Sequence, residues 1–383
     1  MRGYRTKLRA LALIAPLAAS VGALIGGEWA ARRWVDQGDA LDRVGGLLRM
    51  DVSLGWRQKE NVRIRFMGVP VATNSQGLRA PESSAAPATG SSQEGSVLVL
   101  GPSSTFGWGV PESGTYARRL EAALREGGRR VSVVNAGQIG FSSWQGLRFY
   151  DEEFRRLPPR VLVLAYGAND VDRYRFFFQD RRPDSAALEP RRSAVAVAVR
   201  NTLRDLAGLR WLSRTASGWR GSLGCLPDGT RPPYSIDVPS LRVPPEEFAA
   251  GLDLFARRAR EDGASLVLMT TPYRLERRPG ASAENESKYR RSSVLAAQGL
   301  CEQAREAFEQ ARSLEPYRIA SSLDEYNEIV RRSAARLGVP LVDVERLLSR
   351  DESLFVDPIH PSGEGHRRIA RILTEAVRPL MGE

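Results

Sequence analysis

Histidine, cysteine and lysine are nearly missing from this chain, and each scarcity removes a class of function. There are two histidines, His360 and His366, and two cysteines, Cys225 and Cys301. Two imidazoles among scattered carboxylates make no recognisable ligand set, and the cysteine spacing fits no metal site, so no metal or other cofactor is expected. A disulfide between the two cysteines is compatible with an oxidising compartment, and spacing alone leaves it open. Lysine occurs only at Lys7, Lys59 and Lys288, so the net charge of +11 is carried by arginine. That charge suits an anionic partner such as membrane headgroups or acidic polysaccharide; the alternative is arginine spread over solvated faces, and no dense basic patch stands out. No nucleic-acid motif is present, and no nucleic-acid partner is expected.

Long apolar runs are also scarce. The exception is Ala10 to Gly27, 18 uncharged residues preceded by Arg2, Arg5, Lys7 and Arg9. As a helix it would span roughly 27 Å, close to the hydrocarbon core of a bilayer. The flanking charges place residues 1–9 in the cytoplasm and everything after the run outside. A cleaved signal peptide is the alternative, with Ala18 and Ser20 near a possible cleavage site. Either reading exports the remainder, so the expected location is extracytoplasmic: on the cell membrane through a single pass, or secreted or periplasmic after cleavage. Residues 28–95 form an N-terminal extension with strand-like segments on either side of Gly68 and Pro70, expected as a hairpin on a sheet edge. Its last part, 81–95, is a linker rich in Ser, Ala, Pro and Gly.

From residue 96 onward, short β-type runs alternate with helical patterns, which argues for a parallel sheet with helices on both faces. Strands are predicted at 96–100, 131–135, 161–166, 265–270 and 340–344. Helices are predicted at about 115–126, 143–157, 244–262, 323–337 and 363–380. Two insertions interrupt this order, at about 171–240 and 273–322. The first holds aromatics (Tyr174, Phe176, Phe177, Phe178) and a helix at 193–212. Val195, Val199, Leu203, Leu206, Leu209 and Leu212 recur there at helical spacing, expected to pack on the core, line an acyl pocket or face a membrane. The second contains a helix with Ala304, Ala307, Phe308, Ala311 and Leu314 on one face. It is similar to half of a tetratricopeptide repeat but is read as a single packed insert.

Four blocks fall at the ends of strand-like runs. Ser96–Leu100 leads into Gly101-Pro102-Ser103; Val131–Val134 leads to Asn135, Gly137 and Gly140; Val161–Ala165 leads to Gly167 and Asn169; DPIHPSGEGH carries Asp357 and His360. A serine lifted to the carboxyl edge of a parallel sheet stands where ligands of open α/β sheets bind. Together these blocks resemble the SGNH (GDSL-type) hydrolases, over about residues 96–170 and 240–378. The resemblance implies a flavodoxin-like three-layer sandwich with a parallel five-stranded sheet, and an SGNH hydrolase domain over 96–383. It also implies a serine esterase working through an acyl-enzyme. Ser103 is the implied nucleophile, with Asp357 and His360 completing the triad. The implied oxyanion donors are the N–H groups of Ser103 and Gly140 and the side-chain amide of Asn169.

One departure from the family pattern stands in the first block, where Pro102 replaces the usual aspartate. Proline removes an N–H that the oxyanion hole does not use, and it biases Gly101 to the extended form of a strand end. The Asp357–His360 spacing lets a carboxylate bond one imidazole nitrogen and leave the other facing Ser103. His366 is read as structural. The expected substrates are O-acyl esters, such as O-acetyl groups, of envelope carbohydrate or lipid. The alternatives are an acyltransferase of the same fold passing the acyl group to a sugar hydroxyl, and a scaffold that kept the fold without the chemistry.

Overall fold

The computed structural model describes residues 46–81, 95–126, 130–172, 175–177, 180, 182–189, 192–205, 241–274, 278–348 and 351–382. The apolar run at 10–27, Tyr174, Phe178 and Cys225 lie outside them. No described helix is long and apolar enough to cross a membrane.

The N-terminal extension is more elaborate than one hairpin. Strands β1 (Leu48–Asp51) and β2 (Gly55–Gln58) pair antiparallel. Strands β3 (Arg63–Phe66), β4 (Val69–Thr73) and β5 (Arg79–Ala80) form a second antiparallel sheet. The β3–β4 turn is Met67-Gly68, both with positive φ, the two-residue form that matches strand twist. Pro70 therefore lies inside β4, not between strands.

The principal sheet contains β6 (Ser96–Gly101), β7 (Ser132–Gly137), β8 (Val161–Leu164), β9 (Ser265–Met269) and β10 (Leu341–Val342). All neighbours are parallel, in the order β10-β9-β8-β6-β7. The strand sequences show why it is buried on both faces. In β6, β8 and β9, Leu98, Leu100, Leu162, Leu164, Leu266 and Leu268 join one core, while Val97, Val99, Val161, Val163, Val267 and Met269 join the other. Successive side chains of a strand point to opposite faces, so near-continuous apolar runs demand cover on each. A one-turn helix, α1 (Ser103–Phe106), follows β6 directly, and α2 (Tyr116–Arg125) and α3 (Ser143–Glu153) follow in the crossovers. Because β7 and β8 flank β6 on opposite sides, the loop after β6 stands at the point where the strand order reverses.

Insertion helices α4 (Asp184–Leu188) and α5 (Ala194–Asp205) come next. Of the three readings of the α5 stripe, packing on the core does not hold. Val195, Val199 and Leu203 are exposed by 74%, 52% and 47%, whereas Val197 is buried. Asn201, one turn on from Val197, receives Met50 N–H at 2.8 Å and donates to Met50 O at 3.0 Å. Satisfying both edge groups of β1 outweighs the apolar stripe. Leu206, Leu209 and Leu212 lie outside the described residues.

Helix α6 (Pro245–Glu261) covers the sheet, and α7 (Ala281–Ala297) pairs with α8 (Cys301–Leu337) in the second insertion. The insert and the helix expected at 323–337 are one continuous 37-residue helix with Pro316 inside it. Buried Arg318, two residues past the proline, donates to Val171 O at 3.0 Å and pairs with Glu315, tying this stretch of the helix to the domain. The apolar face Ala304–Leu314 is buried as expected, with Phe308 edge-on to Tyr289 of α7. Helices α9 (Val344–Leu348) and α10 (Gly363–Val377) close the chain.

Candidate active site

Ser103 begins α1, immediately after β6. Pro102 caps that turn through its carbonyl, which accepts the N–H groups of Thr105 and Phe106 at 3.1 and 3.0 Å. The turn is held without an aspartate: Asn135 Nδ2 donates to Thr105 O at 2.9 Å, and Thr105 Oγ1 lies 2.7 Å from Tyr116 Oη. Gly137 is required for this approach, since a Cβ there would stand 2.2 Å from Phe106 N.

The block near the carboxyl end meets this turn directly. Ser103 Oγ is 2.7 Å from His360 Nε2, and His360 Nδ1 is 2.6 Å from Asp357 Oδ2. Burial opposes the charge on Asp357. Hydrogen bonds from the His360 ring and from the Ile359 and His360 amides nevertheless hold its pKa below the ordinary carboxylate value. An ionised Asp357 can only accept, so Nδ1 carries the ring proton and Nε2 is left as acceptor for the serine hydroxyl. Ser103 and His360 are each 8% exposed, screened but reachable. The Trp108 ring stacks on His360, 4.8 Å between centroids at 11°, and Phe66 of the extension meets Trp108 edge-on. His366 lies apart, buried on α10, where Tyr116 N–H donates to its Nδ1 at 3.1 Å. Burial first, then nearby positive charge, pushes its pKa down to about 3, so it stays neutral.

Across the cleft, Gly140 has φ +77, the left-handed region that favours glycine. The Phe176 ring rests where its Cβ would be, at 2.2 Å. Asn169 follows β8, and its Nδ2 donates to Phe141 O at 3.0 Å, one residue beyond Gly140. Structure therefore brings Ser103, His360 and Asp357 into one hydrogen-bonded line and sets Gly140 and Asn169 side by side on the neighbouring loops.

Residues 99–368 of the 383 match the GDSL-like lipase/acylhydrolase family. The chain belongs to this family. It is accordingly an ester-hydrolysing enzyme of the α/β type. No curated protein matches the chain. Among solved structures, similarity is found to LAE5, an alpha/beta hydrolase enzyme from the metagenome of Lake Arreo (20% identity, TM-score 0.41, 75% of this chain and 97% of that one). A lipase/acylhydrolase from Enterococcus faecalis is 15% identical, with TM-score 0.41 over 74% of this chain and 95% of its own. Axe2, an acetylxylan esterase from Geobacillus stearothermophilus, is 15% identical, with TM-score 0.39 over 77% and 96%. Family membership rests on the domain match.

Several residues around the site of this GDSL-family enzyme carry no sequence signal of their own. Trp108 could have been suspected only as an aromatic following the serine block. Asp170, beside Asn169, accepts the Ser143 N–H at 2.8 Å, and burial pushes its pKa up to about 6 against the pull of those Ser143 bonds. Arg242 and Asp184 come from the first insertion and its exit, and both are buried. Nothing in their local sequence marks them, because Arg242 meets partners 58 to 102 residues away and Asp184 is joined to Ser142 and Arg242, 42 and 58 residues away.

Proposed function

We propose that this GDSL-family enzyme is a serine esterase acting through an acyl-enzyme on O-acyl esters, O-acetyl groups included, of envelope carbohydrate or lipid. The reading rests chiefly on the Ser103–His360–Asp357 line of hydrogen bonds at the reversal point of the sheet. His360 takes the Ser103 proton as Oγ attacks the ester carbonyl, and Asp357 stabilises the imidazolium. The oxyanion is received by the Ser103 and Gly140 N–H groups and by Asn169 Nδ2, whose second hydrogen points elsewhere than Phe141 O. Collapse releases the alcohol with a proton from His360; water, activated by the same imidazole, then frees the acid. Fixed donors do not reorganise as charge develops, and this is where most of the rate comes from.

Export of the catalytic domain, tethered by the run at 10–27, is part of the proposal. The basic flank of that run supports it. Esters of graded acyl length and acetylated glycans, assayed with and without acceptor sugars, test the reading. Release of free acid in every condition is expected. Acyl transfer to the sugar would make the enzyme a transferase, and no turnover of any ester would leave the scaffold reading.

A further inference from the structure

We infer that Trp56 and Arg242 are positioning residues that together fix the direction of the Gly140 N–H. The inference rests on the proposed role of that N–H as an oxyanion donor.

A peptide N–H points opposite to the carbonyl of its own plane, so whatever holds Ile139 C=O also aims Gly140 N–H. Trp56 Nε1 donates to Ile139 O at 3.0 Å, with Trp56 fully buried. The following plane is held as well: Arg242 Nη1 donates to Gly140 O at 2.7 Å. Both planes flanking a left-handed glycine are thereby clamped, at a residue whose backbone would otherwise move cheaply. The two clamps touch each other, since the Arg242 guanidinium lies 5.1 Å from the centre of the Trp56 ring.

What stands behind Arg242 is too costly to be filler. Asp184 Oδ2 accepts from Arg242 Nη2 at 2.9 Å and from Ser142 Oγ at 2.6 Å, while its Oδ1 accepts from Arg175 Nε at 2.7 Å. The three charged side chains are each at most 1% exposed. Buried ion pairs add little stability over apolar packing of the same volume, and in some proteins they serve to fix one geometry. Here the geometry fixed is that of residues 140–145: Arg242 also reaches Gln145 Oε1 at 2.5 Å, within the capping box that starts α3. The N-terminal extension extends the same hold along the loop. Gln58 Nε2 donates to Gly137 O at 3.0 Å, and Gln58 N–H donates to Gln138 Oε1 at 3.1 Å. Alternate residues of β2 thus grip the loop from 137 to 139, and the extension is part of the active site.

Trp56→Phe isolates the indole N–H while keeping an aromatic ring against Phe141 and Phe176. Deleting a donor of this kind outright costs about 10²–10³ in kcat, so misdirecting one is expected to cost roughly 10–100-fold. Rates are taken per active site, with sites counted by fluorophosphonate titration. KM should change less than about threefold, and the pH profile of kcat/KM should keep its wild-type midpoint, because the Ser103–His360–Asp357 line is untouched. Arg242→Lys should lose less than Arg242→Met, since lysine can still donate to Gly140 O. Wild-type kcat per site in Trp56→Phe would overturn the inference. Should the wild-type chain hydrolyse no ester, the Gly140 amide resonance decides instead. A shift or broadening in Trp56→Phe that Ser103→Ala does not cause upholds the clamp, and an unmoved resonance refutes it.

Discussion

The two walls of the catalytic cleft are built in opposite ways. On the nucleophile wall, Asp357 and His360 are three residues apart and bond each other within one loop, and Ser103 meets them across 2.7 Å. On the oxyanion wall, the loop at 137–142 is held by β2, by Arg242 and by Asp184, none adjacent to it in sequence. In the proposed mechanism the first wall moves one proton through His360 while Asp357 stays ionised, and a short loop supplies that pair. The second must stay still while charge develops nearby, and a buried network reaching across the chain supplies that stillness. The fold thus pairs base and carboxylate within one loop and steadies the opposite loop through contacts distant in sequence.

The largest effects should come from the nucleophile wall, where the groups act as a unit. Ser103→Ala, His360→Ala and the double variant should each lose about 10³-fold or more in kcat and reach a similar floor. Additive losses in the double variant would mean that the two residues do not form one nucleophile.

Asn169→Ala tests the opposite wall. Losing one oxyanion donor should cost about 10²–10³ in kcat, roughly 3–4 kcal/mol. Thermal unfolding should show little change beyond the lost bond to Phe141 O. A variant with full turnover would remove Asn169 from the oxyanion site.

The walls should also differ in how pH acts on folding. Asp357 has its pKa lowered, so its contribution to stability is present above the ordinary carboxylate pKa and is lost as pH falls through the folded value. Asp170 runs the other way. Its pKa is raised to about 6, so the fold binds its proton more tightly than the unfolded chain does, and stability drains as pH rises from about 4 to about 6. Asp170→Asn keeps an acceptor for Ser143 and removes the titration. Its unfolding free energy relative to wild type should therefore rise between pH 4 and pH 7, by on the order of 3 kcal/mol. A difference that stays flat across this range would show that Asp170 is ionised throughout.

The same contrast explains what could be read from sequence. The sheet was legible because Leu/Val runs such as Val97–Leu100 and Val161–Leu164 can only be strands buried on two faces. The serine and histidine blocks were legible because their residues are neighbours in the chain. Helix α8 runs through two segments that the sequence separates, because Pro316 normally ends a helix, whereas here Arg318 and Glu315 anchor the turn across it. The apolar stripe of α5 does not pack on the core, because Asn201 bonds both edge groups of Met50 in β1 and Val197 is the residue buried with it. Trp56, Asp184 and Arg242 were invisible because each derives its meaning from a distant partner.

The smallest effect is expected at position 102. The turn is already held by Asn135 and by the Thr105–Tyr116 pair, so Pro102→Asp should change the esterase rate by less than about tenfold, or about 1.4 kcal/mol. A gain of several orders of magnitude would mean that the natural turn leaves Ser103 impaired.

Intact-mass measurement of the full chain after treatment with a fluorophosphonate tests the central claim most directly. The expected result is one adduct per wild-type chain, mapped to Ser103, absent in Ser103→Ala and greatly slowed in His360→Ala. A wild-type chain that stays unlabelled, or an adduct on another residue, would contradict the assignment of Ser103 as the activated nucleophile.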